Sequence, residues 1–66
     1  MTTLRDRAAT ALDLTHGKTM HNIDVDKVRG TLAAWLDGAI KMRITLARSY
    51  VECLEMVARH NDTVAA

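Results

Sequence analysis

The fold is decided by residues 24–60, whose sequence is DVDKVRGTLAAWLDGAIKMRITLARSYVECLEMVARH. At about 100° per residue, the apolar side chains of this stretch fall on one side of a helix. The members of this predicted apolar face, with Trp35 at its margin, are Val28, Leu32, Trp35, Leu36, Ala39, Leu46, Ala47, Tyr50, Leu54 and Val57. The pattern predicts one long amphipathic helix over residues 24–60.

A short helix is predicted before this stretch, over residues 4–15. Thr3, followed three residues later by Asp6, resembles a capping box, and leucines and alanines then recur at helical spacing. Gly17 can adopt the left-handed conformation that closes such a helix. The sequence therefore predicts an N-terminal helix that ends close to Gly17.

The rest of the chain completes a single small all-α domain. Residues 16–23 are polar and are predicted as a connector. Asp24 is the predicted N-cap of the long helix, because its carboxylate can accept hydrogen bonds from the first amides. Residues 61–66 offer few side chains to bury, so we expect this tail to fray.

The dipeptide Asp37–Gly38 is a turn signal inside the predicted long helix. It could split residues 24–60 into a helical hairpin. The apolar residues on the two sides of Gly38 nevertheless keep one helical phase, which a loop would normally reset. We therefore favour the continuous helix and keep the hairpin as the alternative.

The chain has 66 residues, which allows one domain with a small core. The apolar face covers nearly half of the helix circumference, more than the narrow seam of a two-stranded coiled coil requires. The economical solution is an antiparallel homodimer or a higher oligomer, an intermolecular helical bundle in which the short helix covers a remaining groove. The apolar face listed above is then the predicted interface between copies.

Arg43 falls in the middle of the predicted apolar face. A guanidinium taken out of water needs a counter-charge or a route to solvent. One interpretation is structural: Arg43 reaches solvent or pairs with Asp6 or Asp13. A second is an anionic ligand at a subunit interface, with Tyr50 and Arg29 as further ligand-binding candidates. A third is a protein-binding hot spot, in which arginine, tyrosine and tryptophan are enriched.

The overall charge argues against two classes of partner. The formal net charge is +1, with both signs interspersed, which gives no general attraction to nucleic acid or to anionic membranes. No apolar run approaches the roughly 20 residues that span a bilayer. Cys53 is the only cysteine, and a single thiol suits a reducing compartment. We expect a cytoplasmic protein.

Catalytic and ligand motifs give no positive signal. Gly17–Lys18–Thr19 resembles the end of a phosphate-binding loop, but Leu12 stands where the earlier glycine belongs. His16, His21, His60 and Cys53 supply metal-ligand types at spacings that match no zinc motif. We therefore predict no metal, no cofactor and no catalytic residue.

The functional hypothesis is a non-enzymatic, homo-oligomeric binding protein that inhibits or adapts a larger protein. Small regulatory inhibitors of this kind are common in phages and plasmids. Two alternatives stay open. One is an oligomer that sequesters an anionic small ligand or nucleotide through Arg43, and the other is a nucleic-acid-binding regulator.

Overall fold

The chain folds into three α-helices. The computed structural model describes the backbone of residues 2–65 and the side chains of residues 2–60. The helices are α1 (Leu4–Leu14), α2 (Val25–Leu36) and α3 (Ile44–Ala65), and the described backbone forms no β-strand. The predicted all-α class is confirmed. None of these helices is long and apolar enough to cross a membrane.

The starts of the first two helices are fixed by the predicted caps. The Thr3 hydroxyl accepts a hydrogen bond from the Asp6 amide at 3.1 Å, and the Asp6 carboxylate accepts one from the Thr3 amide at 3.4 Å. Gly17 follows α1 with a positive φ of 75°. At α2, the Asp24 carboxylate accepts from the Lys27 amide at 3.1 Å. These side chains satisfy amides that helix starts leave without partners.

The prediction of one continuous helix over residues 24–60 is wrong, because residues 37–43 are not helical. Gly38 has a φ of +80°, and its amide donates to the Trp35 carbonyl at 3.1 Å. The next amide, that of Ala39, donates to the Ala34 carbonyl at 2.9 Å. This pair of bonds is a Schellman motif, which ends a helix and turns the chain away from its axis. The hairpin alternative describes the chain better.

The predicted fraying of residues 61–66 is also not what the backbone shows. Helix α3 continues to Ala65, while Ala66 lies outside the described residues. The sequence has no proline, and no glycine after Gly38, so neither of the two residues that most strongly stop a helix occurs in this region.

The core is built from all three helices of a single chain. Its buried members are Ala8, Ala11, Val25, Leu32, Trp35, Ala47, Val51, Leu54 and Val57. This corrects the predicted use of the apolar face, because half of it is buried inside the chain: Leu32, Trp35, Ala47, Leu54 and Val57. Of the rest, Val28, Leu36 and Tyr50 are half-buried, and Ala39 and Leu46 are exposed.

Helices α1 and α2 are antiparallel and are joined by two arginines. Arg5, near the start of α1, donates to the Leu36 carbonyl at the end of α2, at 3.2 Å. Arg29 of α2 donates to the Leu12 carbonyl near the end of α1, at 3.0 Å. Each helix thus supplies a cation to the negative end of the other helix, where the carbonyls lack intrahelical partners. The Arg5 guanidinium also lies 4.7 Å from the centre of the Trp35 ring.

Helix α3 is tied to α1 by a bidentate ion pair. Arg7 donates to the two carboxylate oxygens of Glu55 at 2.8 and 3.2 Å. The hydrogen bond to Glu55, followed by Coulombic attraction to it, raises the pKa of Arg7 above its ordinary value. Because arginine keeps its charge until strongly alkaline pH, Arg7 remains a cation for this ion pair throughout the neutral range.

Candidate binding surface

Arg43 lies in the segment between α2 and α3, immediately before the first residue of α3. Its side chain is exposed and makes no hydrogen bond or ion pair with the described part of the chain. The predicted position of Arg43 within a helical apolar face is therefore wrong, since residues 37–43 are not helical. Its guanidinium is in contact with solvent. No counter-ion is therefore needed to offset a loss of hydration.

Arg29, the second predicted ligand residue, is half-buried and is occupied by the protein itself. Besides the Leu12 carbonyl, it donates to the Thr15 hydroxyl at 3.2 Å. Thr15 is 0% exposed, and its hydroxyl donates in turn to the Ala11 carbonyl at 2.7 Å. This network gives hydrogen-bond partners both to the buried Thr15 hydroxyl and to the Leu12 carbonyl near the end of α1. Arg29 thus has a structural role that the sequence analysis did not foresee.

Tyr50, the third predicted ligand residue, is half-buried on α3 and packs against the core. The described hydrogen bonds of Arg29 hold it to the end of α1, whereas Arg43 precedes α3 and has no described partner. No interaction among the described residues joins Arg29, Arg43 and Tyr50 into one site. The predicted three-residue ligand site is therefore not assembled within a single chain.

A groove of about 580 Å³ lies between α1 and α2. Its lining residues are Ala9, Thr10, Leu12, Asp13, Leu14, His16, Arg29 and Leu36. A smaller groove of about 270 Å³ shares Leu12 and Arg29 with it. The charged groups on the larger groove have opposite signs, and its arginine is bound to α1. The groove does not select a ligand of one charge.

The strongest candidate for a binding surface is what we call the basic junction: Ile40, Lys41, Arg43, Ile44 and Arg48. All five side chains are exposed, and Ile40 and Ile44 are 40% and 57% exposed. The three cations make no described hydrogen bond or ion pair. No acidic residue occurs between Asp37 and Glu52, so nothing in this stretch neutralises them.

Of the basic junction, only Arg43 is predicted as a site residue from the sequence. The signal was present in the acid-free run between Asp37 and Glu52. It was overlooked because the continuous-helix hypothesis distributed Lys41, Arg43 and Arg48 around a helix. A turn at Gly38 places two of these cations in a non-helical segment instead.

The described residues contain no group of three histidine, cysteine, aspartate or glutamate side chains that could hold a metal ion. Comparison with known proteins adds no functional assignment. No family model matches this chain. No curated protein and no solved structure is significantly similar to it.

Proposed function

We propose that this chain is a small, non-enzymatic, homo-oligomeric binding protein whose basic junction attaches to an acidic surface of a larger protein and inhibits or adapts that protein. The observation that supports the proposal is the combination of two exposed isoleucines with three cations that have no partner among the described side chains, residues 2–60. Arginine beside apolar side chains is typical of the residues that dominate protein interfaces.

The exposed isoleucines favour a protein partner over a nucleic acid. Phosphate contacts need cations and polar groups, and they leave Ile40 and Ile44 in water. An acidic protein segment that also carries apolar side chains can satisfy both parts of the junction. Its carboxylates would pair with Lys41, Arg43 and Arg48, and its apolar groups would cover the isoleucines.

A direct test uses a synthetic amphipathic helical peptide of glutamate and leucine as the probe. Binding is measured by fluorescence anisotropy at several salt concentrations, for the native chain and for Arg43→Glu. We expect Arg43→Glu to weaken peptide binding by about tenfold, or about 1.4 kcal/mol. Lys27→Glu is the matched control, because Lys27 is exposed on α2 and the change in net charge is the same.

The proposal fails if the acidic peptide does not bind, or if Arg43→Glu and Lys27→Glu weaken it equally. The same titration with a glutamate–lysine peptide, duplex DNA and inorganic phosphate separates the other ligand classes. Tighter binding of duplex DNA than of the acidic peptide would instead support a nucleic-acid-binding regulator. Tight binding of phosphate alone would support the sequestration of an anionic ligand.

A further inference from the structure

The segment between α2 and α3, residues 37–43, has few attachments to the rest of the fold, and we call it the hinge. Residues 37–41 are all exposed, and Met42 is the member of the hinge that packs against the core. The backbone amides of residues 40–43 make no hydrogen bond within the described part of the chain. The path of the hinge therefore depends mainly on the Schellman motif at Gly38.

The buried faces of α2 and α3 are in phase across the hinge. At 100° per residue, the buried residues Val25, Leu32 and Leu54 fall within about 40° of one another on an ideal continuous helix. All core residues of α2 and α3 fall within about 160° on that helix. The closed chain does not require this agreement, because a turn sets the faces of two helices independently of helical phase. A single straight helix that buries one side along its whole length does require it.

We infer that two copies of this chain exchange α3 and form a dimer in which α2 and α3 join into one continuous helix. The α3 of each copy then packs on α1 and α2 of the other copy, where the chain's own α3 packs in the closed form. The two long helices pair about a twofold axis near the hinge. Because the exchanged contacts already exist within one chain, the surface that receives α3 is complementary to a second copy.

The sequence of the hinge permits the continuous helix. It contains no proline, and Asp37 and Lys41 stand four residues apart in the polarity that favours a helix. Gly38 acts against the exchange, since glycine disfavours a helix interior but readily holds the left-handed φ of +80°. A residue with a side chain at this position should therefore shift the equilibrium from the closed chain to the dimer.

Arg43 acts against the exchange in a different way. On the continuous helix it falls in the middle of the buried side, and it lies close to the twofold axis because the hinge does. The Arg43 guanidiniums of the two copies then approach each other and lose part of their hydration. In the closed chain Arg43 is exposed. The closed form should therefore dominate in dilute solution, and the dimer should increase with concentration.

This inference rests on the homo-oligomeric part of the proposed function, and it adds a regulation of the basic junction by concentration. The exchange turns Arg43 toward the other copy, whereas Lys41 and Arg48 stay on the opposite side of the continuous helix. The closed monomer is thus the form that presents all three cations of the junction to an acidic partner.

The first test is the solution mass, measured by sedimentation equilibrium from low to high micromolar concentration. The native chain should show a dimer at the upper end, and Gly38→Ala should lower the dissociation constant at least about tenfold. Gly30→Ala is the matched control, because Gly30 is helical within α2 in both forms. Arg43→Leu should also strengthen the dimer, whereas Arg48→Leu, at another exposed arginine, should not.

The ion pair between Arg7 and Glu55 distinguishes an exchanged dimer from a dimer of closed chains, because it joins α1 to α3 at 2.8 Å. Arg7→Glu and Glu55→Arg, each combined with Gly38→Ala, place like charges together in their own closed chains and homodimers. In a mixture, the exchanged heterodimer brings opposite charges together at both places where α1 meets α3. A heterodimer of closed chains keeps both like-charge pairs.

Native mass spectrometry of the equilibrated mixture measures the outcome. We expect the heterodimer to exceed each homodimer by about tenfold. A mixture of Lys27→Glu with Asp26→Arg, in the same Gly38→Ala background, is the matched control. These substitutions make the same changes in net charge at exposed positions of α2, so the control should give the statistical mixture. Circular dichroism verifies that the chains in both mixtures are helical.

A native chain that stays monomeric at high micromolar concentration overturns the inference, and so does a Gly38→Ala chain that dimerises no more than Gly30→Ala. A heterodimer excess equal to that of the control mixture shows a dimer of closed chains and also overturns it. Peptide binding at the basic junction is measured separately, in dilute solution where the chain is monomeric. Intact peptide binding without exchange refutes the exchange alone, and exchange without peptide binding refutes the binding function alone.

Discussion

At the scale of single residues, two glycines have opposite effects on the fold. Gly38 holds the left-handed conformation of the Schellman motif, with a φ of +80°. Gly30 lies inside α2 with an ordinary helical backbone. A Cβ added at either position would meet no atom within 4 Å. Contact with more distant parts of the chain is therefore not involved, and the local backbone conformation decides the effect of alanine.

Gly38→Ala should destabilise the chain by about 1 kcal/mol, because an alanine in the left-handed region is strained. Gly30→Ala should stabilise it by roughly 0.5–1 kcal/mol, because glycine loses more conformational entropy in a helix. Urea unfolding followed by circular dichroism measures both changes. A Gly38→Ala chain as stable as the native one would contradict the assigned role of the turn.

At the scale of helices, the reciprocal contacts of Arg5 and Arg29 fix how α1 and α2 pair. Both arginines donate to carbonyls at the C-terminal end of the opposite helix. These acceptors are in place only when the helices are antiparallel and in register. The two contacts therefore specify an orientation as well as contributing to stability.

Arg29→Met should cost about 1–2 kcal/mol, because two hydrogen bonds from a half-buried cation are lost. The Thr15 hydroxyl would still donate to the Ala11 carbonyl, which limits the loss. Arg48→Met makes the same substitution at an exposed side chain and should change stability by less than about 0.5 kcal/mol. Chemical denaturation of the two variants gives the comparison. Equal effects would mean that the Arg29 hydrogen bonds contribute nothing.

At the scale of the whole molecule, stability depends on a core of few large side chains. Leu32, Val51, Leu54 and Val57 are the largest fully buried apolar residues. Alanine and valine fill much of the remaining core. In a chain of 66 residues, the loss of one large side chain removes a large part of the apolar burial.

Leu54→Ala should lower the unfolding free energy by about 2–5 kcal/mol, which is most of the stability of a domain this small. Leu14→Ala is the control, since Leu14 is 53% exposed and its loss should cost less than about 0.5 kcal/mol. Thermal unfolding of the two variants, followed by far-ultraviolet circular dichroism, gives the comparison. A cooperative transition of native midpoint in Leu54→Ala would show that the three helices do not share one core.

The starts of α1 and α2 could be predicted from the sequence because their signals are local. A capping box at Thr3 and an N-cap at Asp24 each involve residues within one turn. The end of α2 was missed for a geometric reason. The interruption spans residues 37–43, and a seven-residue segment is close to two turns of a helix at 3.6 residues per turn. The apolar residues of α3 therefore continue the helical spacing of those in α2, as they would in one continuous helix.

The candidate site was harder to predict, because its roles depend on which helices meet. From the sequence, Arg43 is predicted in the middle of the apolar face and Arg29 is a further candidate for the same anion site. In the fold, Arg29 is bound to the end of α1 and Arg43 is exposed. The distinction arises from the antiparallel docking of α1 on α2, which no local pattern encodes.

The contact between Arg5 and Trp35 gives the molecule an intrinsic optical probe. Trp35 is the only tryptophan in the chain and is 6% exposed. Its indole should therefore emit at short wavelength, with an intensity that depends on the guanidinium 4.7 Å from its ring. Separation of α1 from α2 would move that cation away and expose the indole ring to water at the same time. Fluorescence can thus follow the docking of the first two helices without any label, whereas far-ultraviolet dichroism reports on all three helices together.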